Sequence, residues 1–175
     1  PSPAFPKGVQ IGKNSLLRFY GFLRMDVIMD TALMNGTIVP FYVRSPDPGA
    51  PAAQRARPDE GTFSMDPRLT RLGMDFDGGT PAALDYAKLA GKLELDFDTA
   101  NSGPSTESRQ VPRIRLAYLR LGWPSDVTVT AGQQSDVISP LFPSVQAHSG
   151  GLWNAGNLGD RRPQATLAYE PLWGP

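Results

Sequence analysis

The sequence predicts an all-β protein, an antiparallel up-and-down transmembrane β-barrel, on three observations. Apolar and polar residues alternate with period two over long runs. Leu17, Phe19, Gly21, Leu23, Met25, Val27 and Met29 stand on one parity, against Arg18, Tyr20, Phe22, Arg24, Asp26, Ile28 and Asp30. A second run does the same, with Leu89, Gly91, Leu93, Leu95 and Phe97 opposing Lys88, Lys92, Glu94, Asp96 and Asp98. Both runs reach about 12 residues, whereas strands of soluble domains have about 5–6 and membrane-spanning strands about 9–11. The connections between runs alternate between short and long, as they do when short turns line one rim of a barrel and longer loops the other.

The 175 residues suffice for one domain and carry zero formal net charge. No basic run or basic helix marks a nucleic-acid surface, so no nucleic-acid partner is expected. Cysteine is absent, which removes thiol catalysis, disulfides and zinc-thiolate sites together. With 18 Gly and 18 Pro, turns are many and long helices disfavoured. The longest uncharged stretch, 137–159, contains Pro140, Pro143 and several glycines and is excluded as a spanning helix.

In chain order, residues 1–14 read as a flexible lead-in, and 15–175 as part of one β-barrel domain with about six visible strands. The first strand is expected over 15–32, followed by a turn at Asn35-Gly36, a short extended piece at 37–43 and a long loop over 45–67. The second, over 68–77, sets Leu72, Met74 and Phe76 against Arg71, Gly73, Asp75 and Asp77, and a tight connection begins at Gly78. The third covers 84–98 and the fourth 111–123. In the fourth, Arg113 and Arg115 share a parity with Ala117, Leu119 and Leu121, so either a bulge shifts the register or the far end of that face is apolar. A turn at 123–126 leads to the fifth strand from Val127. The loop 139–163 precedes a sixth strand over 164–170. Tyr118, Trp123 and Tyr169 fit aromatic positions near strand ends.

No catalytic constellation appears, and neither enzyme activity nor a cofactor or metal is expected. His148 is the only histidine and reads as a solvated loop residue. Gly150-Gly151 and the Gly156/Gly159 pair lack the strand, turn and helix of a phosphate loop. Asp75, Asp77, Glu94 and Asp96 are spaced by two and form the wet face of a sheet more simply than a catalytic carboxylate pair.

Five segments come in an order that resembles the N-terminal part of bacterial outer-membrane porins of the DcaP-like group. They are Phe19-Tyr20-Gly21-Phe22-Leu23-Arg24-Met25-Asp26; Pro67-Arg68-Leu69-Thr70-Arg71-Leu72-Gly73; Arg113-Ile114-Arg115-Leu116-Ala117-Tyr118-Leu119; Ala131-Gly132-Gln133; and Asn154-Ala155-Gly156 with Arg161-Arg162-Pro163-Gln164. The resemblance covers about 16–169. It implies a trimeric, water-filled diffusion channel of roughly 16 strands in the outer membrane of a Gram-negative-type bacterium, passing small, often anionic, solutes. Six strands fall short of that, and the expectation is a fragment of a longer product.

In such a channel the charged parity lines the lumen: Arg18, Arg24, Asp26, Arg71, Asp75, Lys88, Lys92, Glu94, Asp96, Arg113 and Arg115. The other reading of each is a salt-bridge ladder on a wet surface. Arginine supplies 13 of the 17 basic residues, and its planar fork suits carboxylate or phosphate solutes. The resemblance makes 139–163 the loop that folds inward, with Asp136, Asp160, Arg161 and Arg162 as constriction candidates. The partners implied are the lipid bilayer, small hydrophilic solutes with a mild anion preference, and two further copies of the chain. Two alternatives remain: a soluble lipocalin-like protein with the apolar parity inward around a greasy ligand, and a non-conducting structural protein of the outer membrane.

Overall fold

Nine strands and two single 3-10 turns account for the regular structure in the computed structural model, which describes residues 8–11, 13–35, 42–56, 59–99, 110–137 and 161–171. The strands are β1 (Val9–Ile11), β2 (Ser15–Phe22), β3 (Asp26–Asp30), β4 (Thr62–Asp66), β5 (Arg71–Gly79), β6 (Lys88–Thr99), β7 (Gln110–Gly122), β8 (Val127–Ser135) and β9 (Arg161–Tyr169). Seven form one sheet in the order β1-β2-β5-β6-β7-β8-β9, and every neighbouring pair is antiparallel. Strands β3 and β4 form a hairpin of their own, and the two sheets belong to separate compact units. The protein is therefore all-β and antiparallel, and its main sheet is an up-and-down meander.

The first predicted strand is two strands. The alternation continues without a slip from Leu17 to Asp30, but the ladder between β2 and β5 ends at Phe22, and residues 23–25 belong to no strand. At Arg24 a side chain takes over the backbone's hydrogen bonds: its N–H donates to Thr70 Oγ1 (3.0 Å), and the Thr70 hydroxyl donates back to the Arg24 carbonyl (3.1 Å). Period-two patterning registers which face a residue occupies and is blind to such a substitution. Two further strands lie where loops were expected. In the lead-in, Val9–Ile11 pairs with Ser15–Leu17. In the stretch 45–67, Thr62–Asp66 pairs with β3. Both have five residues or fewer, too few to stand out as a periodic run.

The short connections of the main sheet share one rim. Residues 123–126 join β7 to β8, closed by Trp123 N–H donating to the Val127 carbonyl (2.9 Å) with Asp126 in the left-handed region (φ 62°). Residues 80–87 join β5 to β6 through the 3-10 turn Ala82–Leu84 and left-handed Asp85 and Tyr86. At the opposite rim β2, β6 and β8 end and β5, β7 and β9 begin, so the longer sequence intervals between strands start and finish there.

Burial is inverted relative to a water-soluble domain. Among the described residues the only buried hydrophobic one is Ala87, whereas Thr62, Asp66, Arg68, Thr70, Glu94, Asp96 and Thr130 are buried. Large apolar side chains stand in the open, Phe19 at 70% and Leu167 at 75% exposure among them. In the hairpin unit, too, the buried positions are polar: Asp66 Oδ1 accepts the Arg68 N–H (2.7 Å), and Thr62 Oγ1 accepts the Met34 N–H (3.0 Å).

Candidate functional site

The register of the seven-stranded sheet gathers its charges on one face. One row reads across the strands as Arg18, Asp75, Lys92, Tyr118, Gly132 and Gln164. The next, toward the rim of short connections, reads Leu16, Asp77, Ala90, Arg120, Thr130 and Thr166. On the other side of the first row lie Tyr20, Gly73 and Glu94, and beyond them Arg71, Asp96 and Arg113. The opposite face carries Leu17, Phe19, Leu72, Met74, Leu93, Leu95, Ala117, Leu119, Val129 and Leu167.

A bulge in β7 decides where Arg113 and Arg115 point. Glu94 pairs with Leu116 but Leu95 pairs with Ile114, leaving Arg115 as the extra residue. The shift puts Arg113 on the same face as Leu116, Tyr118 and Arg120, although their sequence parities differ. Of the two readings open in the sequence, the bulge is the one that occurs.

The two arginines and their neighbours form a continuous network. Arg113 grips Asp96 with two bonds, Nε to Oδ1 (2.8 Å) and Nη2 to Oδ2 (2.9 Å). Arg115 bridges two carboxylates, donating from Nε to Glu94 Oε1 (2.9 Å) and from Nη1 to Asp96 Oδ2. Arg71 Nε lies 3.5 Å from the same Glu94 oxygen, and the other Glu94 oxygen accepts the Tyr20 hydroxyl (2.9 Å). Asp96 is 1% exposed, so its charge is sustained by the two guanidinium groups and not by water.

Tyr20 reaches Glu94 across β5 only because residue 73 is glycine. A Cβ at Gly73 would stand 2.1 Å from the Tyr20 ring. The ring also lies under the Lys92 ammonium, 4.6 Å from its centroid, and Lys92 donates to Asp75 (3.0 Å).

Nine of the eleven predicted lining residues share this face: Arg18, Arg71, Asp75, Lys88, Lys92, Glu94, Asp96, Arg113 and Arg115. The other two, Arg24 and Asp26, belong to the hairpin unit and pair with each other at 2.8 Å. Of the four constriction candidates, Arg161 and Arg162 are the first residues of β9 and not part of a loop, because the strand begins three residues earlier than its apolar alternation suggests. Arg162 stands 3.5 Å from Asp136, which directly follows β8. Asp160 and most of the loop 139–163, His148 included, lie outside the described residues. The alternation places Tyr20 on the polar parity without giving it a role, and it misses Arg120 as a member of the charged face. Tyr118 is also on that face in mid-strand and not at a strand end, as its pairing with Lys92 shows. Among the described residues no group of three or more acidic or histidine side chains is placed to hold a metal ion.

Comparison with protein families, with curated proteins and with solved structures finds no match for this chain.

Proposed function

We propose that this chain forms part of the wall of an outer-membrane β-barrel that lets small hydrophilic solutes diffuse passively, with a mild preference for anions, as a homotrimeric porin akin to the DcaP-like group. The observation that carries the reading is the inverted burial: a sheet with the carboxylates Glu94 and Asp96 buried among half-buried arginines on one face and large apolar side chains exposed on the other. Lipid is the solvent that makes such an outer face favourable, and a wet lumen accommodates the charged one.

Strand length supports the same reading. The 12 residues of β6 span about 40 Å, which at a tilt of about 45° covers about 28 Å, close to the roughly 30 Å hydrocarbon core of a bilayer. In lipid the outer edges of β1 and β9 need partner strands, since open edges are not tolerated there. A soluble lipocalin-like barrel would enclose Phe19, Leu119 and Leu167 and expose Asp96 and Glu94, and burial runs the other way.

Planar bilayers test the proposal. Detergent-extracted protein should insert in discrete steps and give ohmic conductance, and chemical cross-linking should trap three copies. A folded, membrane-inserted barrel without conductance would point to the structural alternative. A protein that stays soluble and folded without detergent would overturn the membrane reading altogether.

A further inference from the structure

We propose that the charged face carries a binding recess for small multivalent anions at its short-connection end, separate from the arginine–carboxylate network. A cavity of about 220 Å³ opens on that face of the main sheet, and its charged lining consists of Arg18, Lys88, Lys92 and Arg120 with Asp75 and Asp77. The register explains why it is there. Ala90 and Gly91 sit at its floor, between longer side chains on β2, β5 and β7, so the middle of the rows is low and the flanks are high. Arg18 and Arg120 stand three strands apart, about 14 Å by the usual spacing of about 4.8 Å, and both line the cavity from opposite sides of that floor.

The charges divide into committed and uncommitted ones. Lys92 is paired with Asp75, and Asp77 turns one carboxylate oxygen to the Gly79 N–H (3.0 Å). Arg120 donates to Thr130 Oγ1 (3.3 Å) and lies over the Tyr118 ring (5.8 Å), contacts that orient its fork without neutralising it. Among the described residues Arg18, Lys88 and Arg120 have no carboxylate within ion-pair distance, and all three are exposed. Four cations against two carboxylates leave the recess positive, with donors converging from three strands. That arrangement favours a dianion such as sulfate or phosphate over chloride, because a dianion engages two guanidinium groups and the ammonium at once. The effect of the recess on permeation rests on the channel reading; binding itself does not.

Protection of Lys88 from acylation tests binding without requiring conduction. The probe is sulfate, titrated at constant ionic strength against chloride into the purified protein in detergent, with exposed Lys13 as the internal control. Sulfate at roughly twice its dissociation constant should slow acylation of Lys88 about threefold and leave Lys13 unchanged. Arg18→Ser/Arg120→Ser should abolish the protection. Equal slowing at both lysines, or protection unchanged in the double variant, would overturn the recess. Protection in a protein that does not conduct would overturn the channel while sustaining the recess; conduction without protection would do the reverse.

Discussion

The two ends of the charged face use the same residue types to opposite effect. Toward the long connections, Arg71, Arg113 and Arg115 each meet a carboxylate, and Glu94 and Asp96 are withdrawn from solvent. Toward the short connections, Arg18, Lys88 and Arg120 remain exposed, and Asp77 is bound to backbone. Face is set by parity, whereas pairing is set by register, which here includes the β7 bulge that brings Arg113 and Arg115 over Glu94 and Asp96. The paired end ties strands together through its ion pairs; the unpaired end leaves its cations exposed.

Breaking the paired end should have the largest effect. Asp96→Ala leaves Arg113 and Arg115 without their shared partner in a closed site, and the expected loss is about 3–5 kcal/mol of unfolding free energy. Asp77→Ala, at the open end, should stay within about 0.5 kcal/mol. Urea titration of lipid-reconstituted protein measures both. Equal losses would erase the distinction between the two ends.

The next effect concerns the opposite face. Leu93 pairs with Met74 and Ala117 on the apolar side, and Leu93→Arg near the bilayer midplane should cost about 2–4 kcal/mol. Lys92→Leu on the charged side loses a partly exposed pair with Asp75, about 0–1 kcal/mol. Spin labels at the two positions give the facing: oxygen in lipid should reach position 93, and a water-soluble quencher position 92. The inverse pattern would restore the soluble-barrel alternative.

These positions show how much the sequence discloses. The strands β5 to β9 and the placing of Leu93 and Lys92 on opposite faces follow from alternation, because a sheet with one apolar and one charged face must alternate. The break at residues 23–25 does not, since Thr70 supplies the missing backbone partner from 46 positions away. Nor does the division of charges: Arg18 and Arg71 look alike along their strands, and only the neighbouring strands separate an exposed guanidinium from an engaged one, since the Asp75 opposite Arg18 is taken by Lys92 whereas Arg71 reaches Glu94 on β6. Alternation gives Tyr20 only a place on the polar parity, and the signal that positions its ring is Gly73, the empty position it crosses.

That crossing gives a smaller, sharper test. Gly73→Val fills the space under the Tyr20 ring and should detach its hydroxyl from Glu94, at about 1–3 kcal/mol for overpacking. Tyr20→Phe removes the hydrogen bond alone and should cost about 1 kcal/mol. If the valine variant is no worse than the phenylalanine variant, the ring has another place to go and Gly73 is not what positions it.

The smallest expected effect is the one nearest function. In a channel only charges exposed to the permeating ion act on it, so anion preference should come from Arg18, Lys88 and Arg120 more than from the neutralised Arg113 and Arg115. Reversal potentials across a salt gradient should show that Arg18→Ser/Arg120→Ser lowers the anion-to-cation permeability ratio roughly threefold, equivalent to about 0.7 kcal/mol. The shift should fade in concentrated salt, because the Debye length falls from about 10 Å at 0.1 M to about 3 Å at 1 M. Arg113→Ser/Arg115→Ser provides the contrast. It uncovers Glu94 and Asp96, so any folded variant should swing toward cations and lose stability together, whereas the Arg18/Arg120 pair should change selectivity at unchanged stability. A cation-selective parent channel, or a shift confined to the Arg113/Arg115 variant, would place the field that solutes feel at the paired end after all.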